Sequence, residues 1–430
     1  MQRVTDISAS ARIVLILLAV SLIAGAITGA SLYFRLSYLW GGLLLVSFVM
    51  SRLSLRGVRV KRTARSLRSQ VGQIFEERFE LQNPGRWLRL WIEVRDLSTL
   101  PGSRGSHVLT LVGGRESRTY LSRTRLVERG IFPLGPTELV SGDLFGIFPA
   151  RRSNPVQDSI LVYPVMVDVQ SFPNPPGLLP GGEALRRRTP QITSNAAGVR
   201  EYSHGDPLNR IHWVSTARRD RLMVKEFELD PLAEVWIFLD AARTVQASRP
   251  YQRPEFDPRD FWRKKFVLQL PPSTLEYGVT IAASLARYYL QHGRSVGLVS
   301  AGASLQVLPS DRGGRQLGKI LEALALVQAE GSLPLQGLVE AQARHLPRGS
   351  TVVLITPSAS DAIYQVSDLL VRRGLRPVVV LLDAATFGGY FSSEVVENQL
   401  KALRVPCCRV LEGADLSVAL SSTVSQPGLI

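Results

Sequence analysis

The stretch GGRQLGKI, at residues 313–320, has the spacing G-x-x-x-x-G-K that is typical of loops that bind nucleotide phosphates. Such a loop needs a Ser or Thr hydroxyl after the lysine to hold magnesium, and here Ile320 stands in its place. The stretch also follows residues 309–311, PSD, and does not emerge directly from a predicted strand. We therefore predict that Lys319 lies on the solvent-facing side of a helix and that the stretch binds no nucleotide.

Asp240 ends the apolar segment EVWIFLD, where an oxygen-rich loop would be able to hold a divalent cation. A D-x-S-x-S loop at this point would resemble the metal-ion-dependent adhesion site of von Willebrand factor A domains. Ala242 has no oxygen to replace the first serine, although Thr244 can replace the second. Pro357 stands where that fold would offer a second carboxylate. We therefore predict no bound metal and expect Asp240 to cap a helix or a loop.

No other group of residues predicts a catalytic centre. The nucleophile motif G-x-S-x-G is absent. The histidines occur in unrelated contexts, at His107, His204, His212, His292 and His345. The only cysteines, Cys407 and Cys408, are adjacent, which makes them a poor disulfide pair and leaves no Cys/His cluster for zinc. We therefore predict no catalytic residue, no cofactor and no structural metal.

The segment REYSHGDPLNRIHWVSTARRDRLMVKEFE, at residues 200–228, concentrates basic residues around one tryptophan. Asp206 followed by Pro207 predicts the start of a helix that runs to about Arg218, and RLMVKEFE alternates like a strand. Three interpretations stay open. The segment is a fastener that buries Trp213 and pairs its arginines with acids of an adjoining domain, a grip on phosphate or nucleic acid, or a docking surface for another protein.

The fastener is the favoured interpretation, because the segment has few aromatic residues and carries acidic residues of its own, unlike a nucleic-acid grip. We expect the joint between domains to involve Gly205, Asp206, Arg210, Trp213, Arg218, Lys225 and Glu226.

Two apolar runs near the N-terminus predict a membrane hairpin. Residues 13–34 carry no charged side chain and are long enough to cross a hydrocarbon core of about 30 Å. A second run follows and extends to residue 53 if the Arg52 side chain snorkels. A cleaved signal peptide, the alternative, would have a shorter apolar run and no second span. We predict a two-helix hairpin at residues 13–53 with its turn at Arg35.

The distribution of positive charge predicts how this hairpin is oriented. The chain has a formal net charge of +15, and seven of its basic residues fall in residues 52–68, which contain no acidic residue. Arg12 flanks the other end, while Arg35 alone marks the turn, so the positive-inside rule places both ends in the cytoplasm. We predict a cytoplasmic tail at residues 1–12 and a basic linker at residues 54–69 that contacts anionic lipid headgroups. The protein would then be a multi-pass protein of the cell membrane with cytoplasmic soluble domains.

The remaining chain is multidomain and has two textures. Apolar alternation with Gly, Pro and Asn breaks predicts an antiparallel β-sandwich at residues 70–166. Residues 167–230 read as a connector, rich in Pro and Gly at its start. Continuous apolar strands that alternate with helices predict a doubly wound α/β domain at residues 231–430. Such a sheet places its site beyond the carboxyl ends of its strands, which are predicted to carry Asp240, Ser300, Thr356 and Asp383.

Two motifs resemble those of the bacterial and archaeal domain of unknown function 58 family. One is GDPLNRIHWVSTARRDRLMVKEFE at residues 205–228, and the other is RGIFPLGPTELVSGDLFGIF at residues 129–148. The resemblance implies a membrane-anchored cytoplasmic protein with a von Willebrand factor A-like domain. Genes of this family commonly lie beside those of a MoxR-type AAA+ ATPase and a transglutaminase-like protein, which are the partners that the resemblance suggests. The resemblance supplies no catalytic mechanism.

Together these observations predict a membrane-anchored adaptor that binds a protein, with the MoxR-type ATPase as the expected partner. We expect the contact surface in the loops at residues 240–244, 300–303 and 356–361. A membrane-associated hydrolase with a site assembled between domains is the alternative, and clustered carboxylates with shifted pKa values would favour it. A nucleic-acid binder would show a steep salt dependence, and we predict that nucleic acid is not a partner.

Overall fold

The computed structural model describes residues 9–156, 158–173, 188–189, 196–203, 206, 211–228, 234–252 and 269–421. Within its strands, the backbone alone is described for residues 188–189, 196–198 and 225–228. The chain divides into two compact units, one built from the residues up to Val165 and one from most of the residues after it.

The chain begins with two apolar helices, α1 (Ala9–Thr28) and α2 (Ser31–Ser54), as the sequence predicts. Both are long and apolar enough to cross a membrane. The predicted turn at Arg35 is wrong, because the break lies at Gly29 and Ala30 and Arg35 is inside α2. Gly29 has a φ of 66°, a left-handed conformation that ends a helix and that glycine adopts without strain.

Burial in this hairpin is the reverse of that in a soluble core. The buried side chains are small: Ala11, Ser21, Gly25, Ser37, Ser47 and Ser51. In the most apolar stretch of each helix, only 17% of α1 and 11% of α2 is buried. A core helix of a soluble protein would be mostly buried. Large apolar side chains therefore face outward, while small residues let the two helix backbones approach, as is usual between membrane helices.

Ten strands follow in the first unit. They are β1 (Arg59–Ala64), β2 (Arg68–Gln70), β3 (Ile74–Asn83), β4 (Arg89–Asp96), β5 (His107–Val112), β6 (Glu116–Arg125), β7 (Gly130–Leu134), β8 (Thr137–Gly142), β9 (Pro149–Asn154) and β10 (Asp158–Tyr163). They form sheets with the orders β1-β3-β6, β5-β4-β8-β9 and β2-β10-β7. The first two sheets share a core that includes Phe79, Leu81, Ile92 and Val94.

The predicted β domain is correct in its antiparallel character, with two corrections. The pair β2–β10 is parallel, unlike the other pairs of these three sheets. Half of the predicted basic linker at residues 54–69 is strand, because it contains β1 and the first two residues of β2. In β1 the exposed Arg59, Lys61 and Thr63 alternate with the less exposed Val60, Arg62 and Ala64, and the basic residues on both faces hide this alternation in the sequence.

Arginines of the β unit cap the C-terminal end of α2. Arg89 donates hydrogen bonds to the carbonyl oxygens of Leu53 and Arg56, the latter at 3.0 Å. Arg152 donates to the carbonyl oxygens of Leu55, at 3.4 Å, and Val58. Leu53 lies in the last turn of α2 and Leu55 is its C-cap, whereas Arg56 and Val58 lie in the turn beyond the helix. The guanidinium groups therefore bind both the negative end of the helix dipole and the turn that leads into the β unit. Burial lowers the pKa of Arg89 and of Arg152.

One arginine of the basic run, Arg62, lies inside the β unit. Its Nε and Nη2 atoms donate to Glu77 at 2.6 and 3.0 Å, and its Nη1 and Nη2 atoms donate to Asp96 at 2.8 and 3.2 Å. Its side chain is 10% exposed and both carboxylates are 1% exposed. Burial alone would lower the pKa of Arg62, but the two carboxylates outweigh it and raise that pKa. The cluster joins β1, β3 and the end of β4.

The second unit begins with a small sheet and helix: β11 (Arg188–Thr189), β12 (Ala196–Glu201), α3 (Trp213–Arg219) and β13 (Met223–Glu228), in the sheet order β11-β13-β12. The predicted strand is confirmed. The predicted helix start at Asp206 is wrong, because Ile211 pairs with Val224 in an antiparallel bridge and His212 caps α3 by accepting from Ser215 N. Most of the predicted Pro- and Gly-rich connector lies outside the described residues.

A six-stranded sheet forms the core of the second unit. Its strands are β14 (Val235–Leu239), β15 (Val296–Ala301), β16 (Leu305–Asp311), β17 (Thr351–Thr356), β18 (Arg376–Leu382) and β19 (Cys407–Val410), in the order β16-β15-β14-β17-β18-β19. All pairs are parallel except β15–β16. The parallel α/β prediction is confirmed, and the antiparallel edge strand β16 was missed because its burial alternates instead of being continuous.

Helices cover both faces of this sheet. They are α4 (Thr274–Gln291), α5 (Gly314–Leu326), α6 (Leu335–Gln342), α7 (Ala362–Arg372), α8 (Glu394–Ala402) and α9 (Leu416–Ser421). One set of strand residues packs with α6, α7 and α8 and includes Phe238, Leu354 and Leu381. The alternate set faces Gly278 of α4 and comprises Leu239, Ile355 and Leu382. Burial on two faces explains why these strands read as continuous apolar runs.

The Arg62 cluster generates a stability prediction. Replacing Arg62 with alanine leaves the carboxylates of Glu77 and Asp96 buried without a counter-charge, which should lower the free energy of unfolding by about 3–5 kcal/mol. Chemical denaturation of the full chain in detergent measures this change.

Arg65→Ala is the matched control, because that side chain is 84% exposed and lies 3.7 Å from Glu76. An exposed pair of this kind contributes about 1 kcal/mol at most. Equal effects of the two substitutions would show that the buried cluster has no special role.

Candidate functional site

The carboxyl ends of the parallel strands bring four polar residues to one edge of the sheet. Asp240 follows β14, Ser300 lies in β15, Thr356 ends β17 and Asp383 follows β18, as predicted. The strand order reverses between β14 and β17, and ligands of doubly wound sheets bind in the crevice at such a point. All four residues are buried, with exposed fractions of 4%, 0%, 0% and 1%. The edge is therefore closed where a ligand would be expected.

A hydrogen bond across the reversal point closes the crevice. Thr356 Oγ1 donates to Asp240 Oδ2 at 2.7 Å, and Ala242 N donates to Asp240 Oδ1 at 3.1 Å. Thr356 Oγ1 also accepts from Ser358 N at 3.0 Å. Asp240 thus caps the loop that follows it, which confirms the prediction for this residue. Burial raises the pKa of Asp240, although the hydrogen bonds from Thr356 and Ala242 oppose that rise.

The next strand end is closed by an ion pair. Arg409 of β19 donates from Nε to Asp383 Oδ2 at 2.9 Å and makes a second contact through Nη2. Ser393 N donates to Asp383 Oδ1 at 3.2 Å. The hydrogen bond to Asp383 raises the pKa of Arg409, despite its partial burial. Both carboxylate oxygens of Asp383 are therefore engaged within the protein.

The backbone at Gly331 covers the edge between β14 and β15. Gly331 N donates to Ala241 O at 3.1 Å, and Arg243 N donates to Gly331 O at 2.8 Å. A Cβ atom at position 331 would lie 2.0 Å from Ala301 O, so glycine alone permits this approach. The loop after Asp240 is consequently held in place by backbone pairing.

The residues present do not assemble a metal site. Ala242 is buried and offers no side-chain oxygen, Thr244 is exposed, and Pro357 is buried at the end of β17. Across the described ranges, no group of three or more His, Cys, Asp or Glu side chains is placed to hold an ion. The two oxygens of Asp240 already accept hydrogen bonds from their own neighbours.

An exposed aromatic pair lies beyond the end of β18, in the loop that leads to α8. Tyr390 is 96% exposed and Phe391 is 74% exposed, and Val395 at the start of α8 is 65% exposed. We call these three side chains the aromatic loop. The sequence pattern did not single out this loop, and the contact surface expected in the loops at residues 240–244, 300–303 and 356–361 stays a prediction. The pair YF between Gly-Gly and Ser-Ser was the available signal, because two adjacent aromatics in a stretch of small residues lack the periodic neighbours of a core strand or helix.

The stretch that resembles a phosphate-binding loop, at residues 313–320, begins just after β16 at the edge of the sheet. It does follow a strand, contrary to the sequence analysis, but that strand is the antiparallel edge strand β16. Lys319 is exposed in α5 and lies 4.0 Å from Asp311, which confirms its predicted solvent-facing position. Ile320 is completely buried.

The expected interdomain residues are only partly described. Arg200 pairs with Asp206 through contacts of 2.6 and 2.7 Å, whereas Gly205 and Arg210 lie outside the described residues. Arg218 is exposed in α3. Lys225 and Glu226 are in β13, where their backbones pair with residues 199 and 198.

The fastener interpretation predicts a buried Trp213, and this prediction is wrong. Its side chain is 66% exposed at the start of α3, beside Val214, which is 58% exposed. Helix α3 has no buried residue, and Ile211, Met223 and Val224 fill the interior beneath it instead. The exposed tryptophan agrees with a docking surface, one of the interpretations that the sequence left open.

Comparisons with known proteins agree with one of the two motifs, the one at residues 205–228. Residues 198–255 match the family described as protein of unknown function DUF58. Over 221 residues the chain is 22% identical to the uncharacterized protein YeaD of Bacillus subtilis (strain 168), covering 51% of this chain and 48% of that protein. The match thus spans about half of that relative's length.

Two solved structures show weak similarity. One is the CARDB domain of the PF1109 protein from Pyrococcus furiosus, in complex with di-metal ions, at 12% identity and a TM-score of 0.18, covering 24% of this chain and 91% of that one. The other is a GH20 exo-β-N-acetylglucosaminidase from Vibrio harveyi, at 10% identity and a TM-score of 0.16, covering 84% and 60%. Neither score carries an argument about fold or function. The chain is therefore similar to the DUF58 family over residues 198–255.

Proposed function

We propose that this protein is a membrane-anchored adaptor that binds a partner protein through the aromatic loop of its α/β unit. The observation that carries the proposal is the exposure of Tyr390 and Phe391 beside a sheet edge at which Asp240, Thr356 and Asp383 are already paired within the protein. Aromatic side chains bury much area at little entropic cost, and they are the commonest anchors of protein interfaces.

The closed edge decides how such a contact is made. Asp240 and Asp383 are not free to coordinate a bridging cation, because each has both carboxylate oxygens occupied by internal partners. Binding must then rest on apolar area and on hydrogen bonds from the surrounding loops. In this proposal the α/β unit is a von Willebrand factor A-like domain whose cation loop has been replaced by direct hydrogen bonding between Asp240 and Thr356.

A MoxR-type AAA+ ATPase is the partner that we propose, and a transglutaminase-like protein is a further candidate. This part of the proposal rests on the resemblance of the two motifs to the DUF58 family and on the habitual neighbourhood of those genes. The geometry contributes the exposed aromatic pair Tyr390 and Phe391, and the exposed Trp213 offers a second place for contact.

The membrane anchor in this proposal is the hairpin of α1 and α2. The turn at Gly29 and Ala30 places Arg12 and Arg52 at the same end of the hairpin, together with the rest of the basic run. The positive-inside rule then assigns that end, the β strands of the first unit and the α/β unit to the cytoplasm.

The hydrolase alternative called for clustered carboxylates with shifted pKa values. Among the described carboxylates, those with a raised pKa are Glu77 and Asp240, in both cases through burial. They belong to different units, and each is held by its own neighbours, Glu77 by Arg62 and Asp240 by Thr356. This arrangement does not favour the alternative.

Asp240→Asn tests whether the closed crevice depends on a charge. Because burial raises the folded-state pKa of Asp240 above its ordinary 3.8, folding favours the protonated carboxyl, and its contribution to stability declines as the pH rises above that value. Asparagine cannot ionise. The variant should match the parent in stability near pH 4 and exceed it near pH 7, as measured by denaturation of the full chain in detergent at both values. A variant that is less stable than the parent at pH 7 would contradict this expectation and show that the crevice needs both carboxylate oxygens as acceptors.

The orientation is tested with reporters in the full chain. Alkaline phosphatase inserted between Gly29 and Ala30 should be active, because the turn faces away from the cytoplasm, and the same enzyme fused after Ile430 should be inactive. A fluorescent protein at the two positions should give the opposite pattern. Phosphatase activity from the C-terminal fusion would overturn the cytoplasmic placement.

Partner binding is tested with the full chain in lipid nanodiscs and a purified MoxR-type ATPase from the same organism. Loss of two interface anchors should weaken binding at least about tenfold, since each tenfold corresponds to about 1.4 kcal/mol. We therefore expect this loss for the double substitution Tyr390→Ser and Phe391→Ser. Binding should survive EDTA when the ATPase is held in a metal-independent nucleotide state.

The matched control replaces two exposed apolar residues of the edge strand β16, Leu305 and Val307, which are 55% and 40% exposed. The control should bind like the parent. Loss of binding in EDTA would disprove the metal-free contact, and an equal loss in the control would disprove the role of the aromatic loop.

A further inference from the structure

Two loops of the β unit expose large apolar side chains at one end of the fold. In the β3–β4 loop, Trp87 is 77% exposed and Leu88 is 53% exposed. In the β8–β9 loop, Leu144 is 62% exposed and Phe145 is 55% exposed. We call these four side chains the loop tips. All four are large apolar side chains that lie outside the core of the unit.

Strand register places both loops at the same end of their sheet. Glu93 of β4 pairs with Val140 of β8 in antiparallel register, so the start of β4 and the end of β8 point the same way. A Cβ atom on Gly142, the last residue of β8, would lie 3.5 Å from the ring of Trp91 near the start of β4. The chain before β4 and the chain after β8 therefore emerge side by side.

This end is also where α2 meets the β unit. The rings of Phe48 in α2 and Phe148 in the β8–β9 loop are in edge-to-face contact, with centroids 5.8 Å apart. Arg89, directly after the other loop, donates to Arg56 O at 3.0 Å just beyond the helix. Both loops are thus tied to the C-terminal end of α2 by contacts within a single unit.

The length of α2 sets the depth of these contacts. A hydrocarbon core of about 30 Å is crossed by about 20 helical residues, which places its far boundary close to Met50 if the span begins at Ser31. Phe48 lies just inside that boundary, and the guanidinium of Arg52 lies 5.0 Å from the centroid of the Phe48 ring. Phe148 touches Phe48, so the β8–β9 loop must lie at the surface of the bilayer.

Asp143 builds the β8–β9 loop. It is 1% exposed, and its carboxylate accepts hydrogen bonds from the backbone N–H groups of Phe145 at 3.0 Å, Ile147 at 3.1 Å and Phe148 at 2.6 Å. Gly146 takes a φ of 68° in the middle of the turn. The loop is therefore fixed by a buried carboxylate, with Ile147 turned inward. These contacts explain the Asp and the Gly of the sequence DLFG at residues 143–146, which the proposed function does not use.

Basic side chains flank the loop tips. Arg86 precedes Trp87 and is exposed, and Arg115 is exposed in the neighbouring turn, whose backbone donates from Arg115 N to Gly85 O at 2.8 Å. Arg52 and Arg56 are exposed at the end of α2. Apolar and aromatic tips surrounded by arginines match the chemistry of a membrane interface, where rings sit among headgroups and guanidinium groups meet lipid phosphates.

We propose that the loop tips form a second membrane contact, in which Trp87, Leu88, Leu144 and Phe145 enter the headgroup region of the leaflet where α2 ends. This inference rests on the proposed membrane anchoring and adds to it a surface of the β unit that lies on the bilayer. The contact fixes the tilt of the β unit on the bilayer, because the two loops add points of support at the membrane surface to the contacts that hold the unit on α2.

The test places an environment-sensitive nitrobenzoxadiazole label at Phe145→Cys in the full chain, reconstituted in nanodiscs that contain anionic lipid. Native Cys407 and Cys408 are buried, and burial raises the pKa of the Cys407 thiol to about 11, so both should resist labelling. Labelling of the unsubstituted chain checks this. Nitroxide lipids that carry the quencher at the headgroup or near the bilayer centre then report depth. We expect emission from position 145 to shift to shorter wavelength and to be lost with the headgroup quencher.

Two control positions separate the possible outcomes. Ile131→Cys, 52% exposed on β7 in a different sheet of the same unit, should show neither the shift nor the loss. Leu39→Cys, 59% exposed within α2, should be quenched from the bilayer centre. Quenching at 39 without quenching at 145 would overturn this inference and keep the anchor. Equal quenching at 131 and 145 would also overturn it, and absence of quenching at 39 would overturn the anchor itself.

Discussion

The carbonyl groups at the C-terminal end of α2 need hydrogen-bond partners, and the way they obtain them organises the first unit. A helix that leaves a membrane usually gives its last carbonyls to water or to a glycine turn. Here Arg89 of β4 and Arg152 of β9 supply the donors. Because these arginines come from two strands of one sheet, the helix end is fixed in direction as well as satisfied. Part of the charge of the basic run is structural too, because Arg62 of that run pairs with the buried carboxylates of Glu77 and Asp96.

The second unit differs at the carboxyl edge of its six-stranded sheet. A parallel sheet gathers polar strand ends at one place, and in many proteins those ends wait for a ligand. In this chain Thr356, Arg409 and the backbone at Gly331 take the positions that a ligand would have. Asp240, Thr356 and Asp383 hold loops in place, while the aromatic side chains of Tyr390 and Phe391 are exposed. In the proposed function this combination serves as a platform for contact with another molecule.

Much of this fold was accessible from the sequence, because burial leaves periodic traces. The apolar runs of α1 and α2, the continuous strands of the α/β unit and the Asp240 cap follow from hydrophobic pattern and residue type. The elements that were missed lack those traces. Strand β16 is an edge strand with half its residues exposed, and β1 hides its alternation among arginines. The depth at which Trp213 lies depends on tertiary neighbours, which local pattern does not encode, and its exposure reversed the expectation of a buried fastener.

The sharp turn at Gly29 and Ala30 has a consequence for what this protein can sense. Two residues between α1 and α2 leave no room for an extracytoplasmic loop, let alone a domain, on the far side of the proposed anchor. The hairpin therefore presents almost no surface there to a ligand, a cell-wall component or a protease. The small residues are buried between the two helices, so neighbours within the bilayer would contact the large apolar side chains. In the proposed topology, a signal to this protein would therefore have to come from the cytoplasmic side or laterally, through lipids and other transmembrane helices.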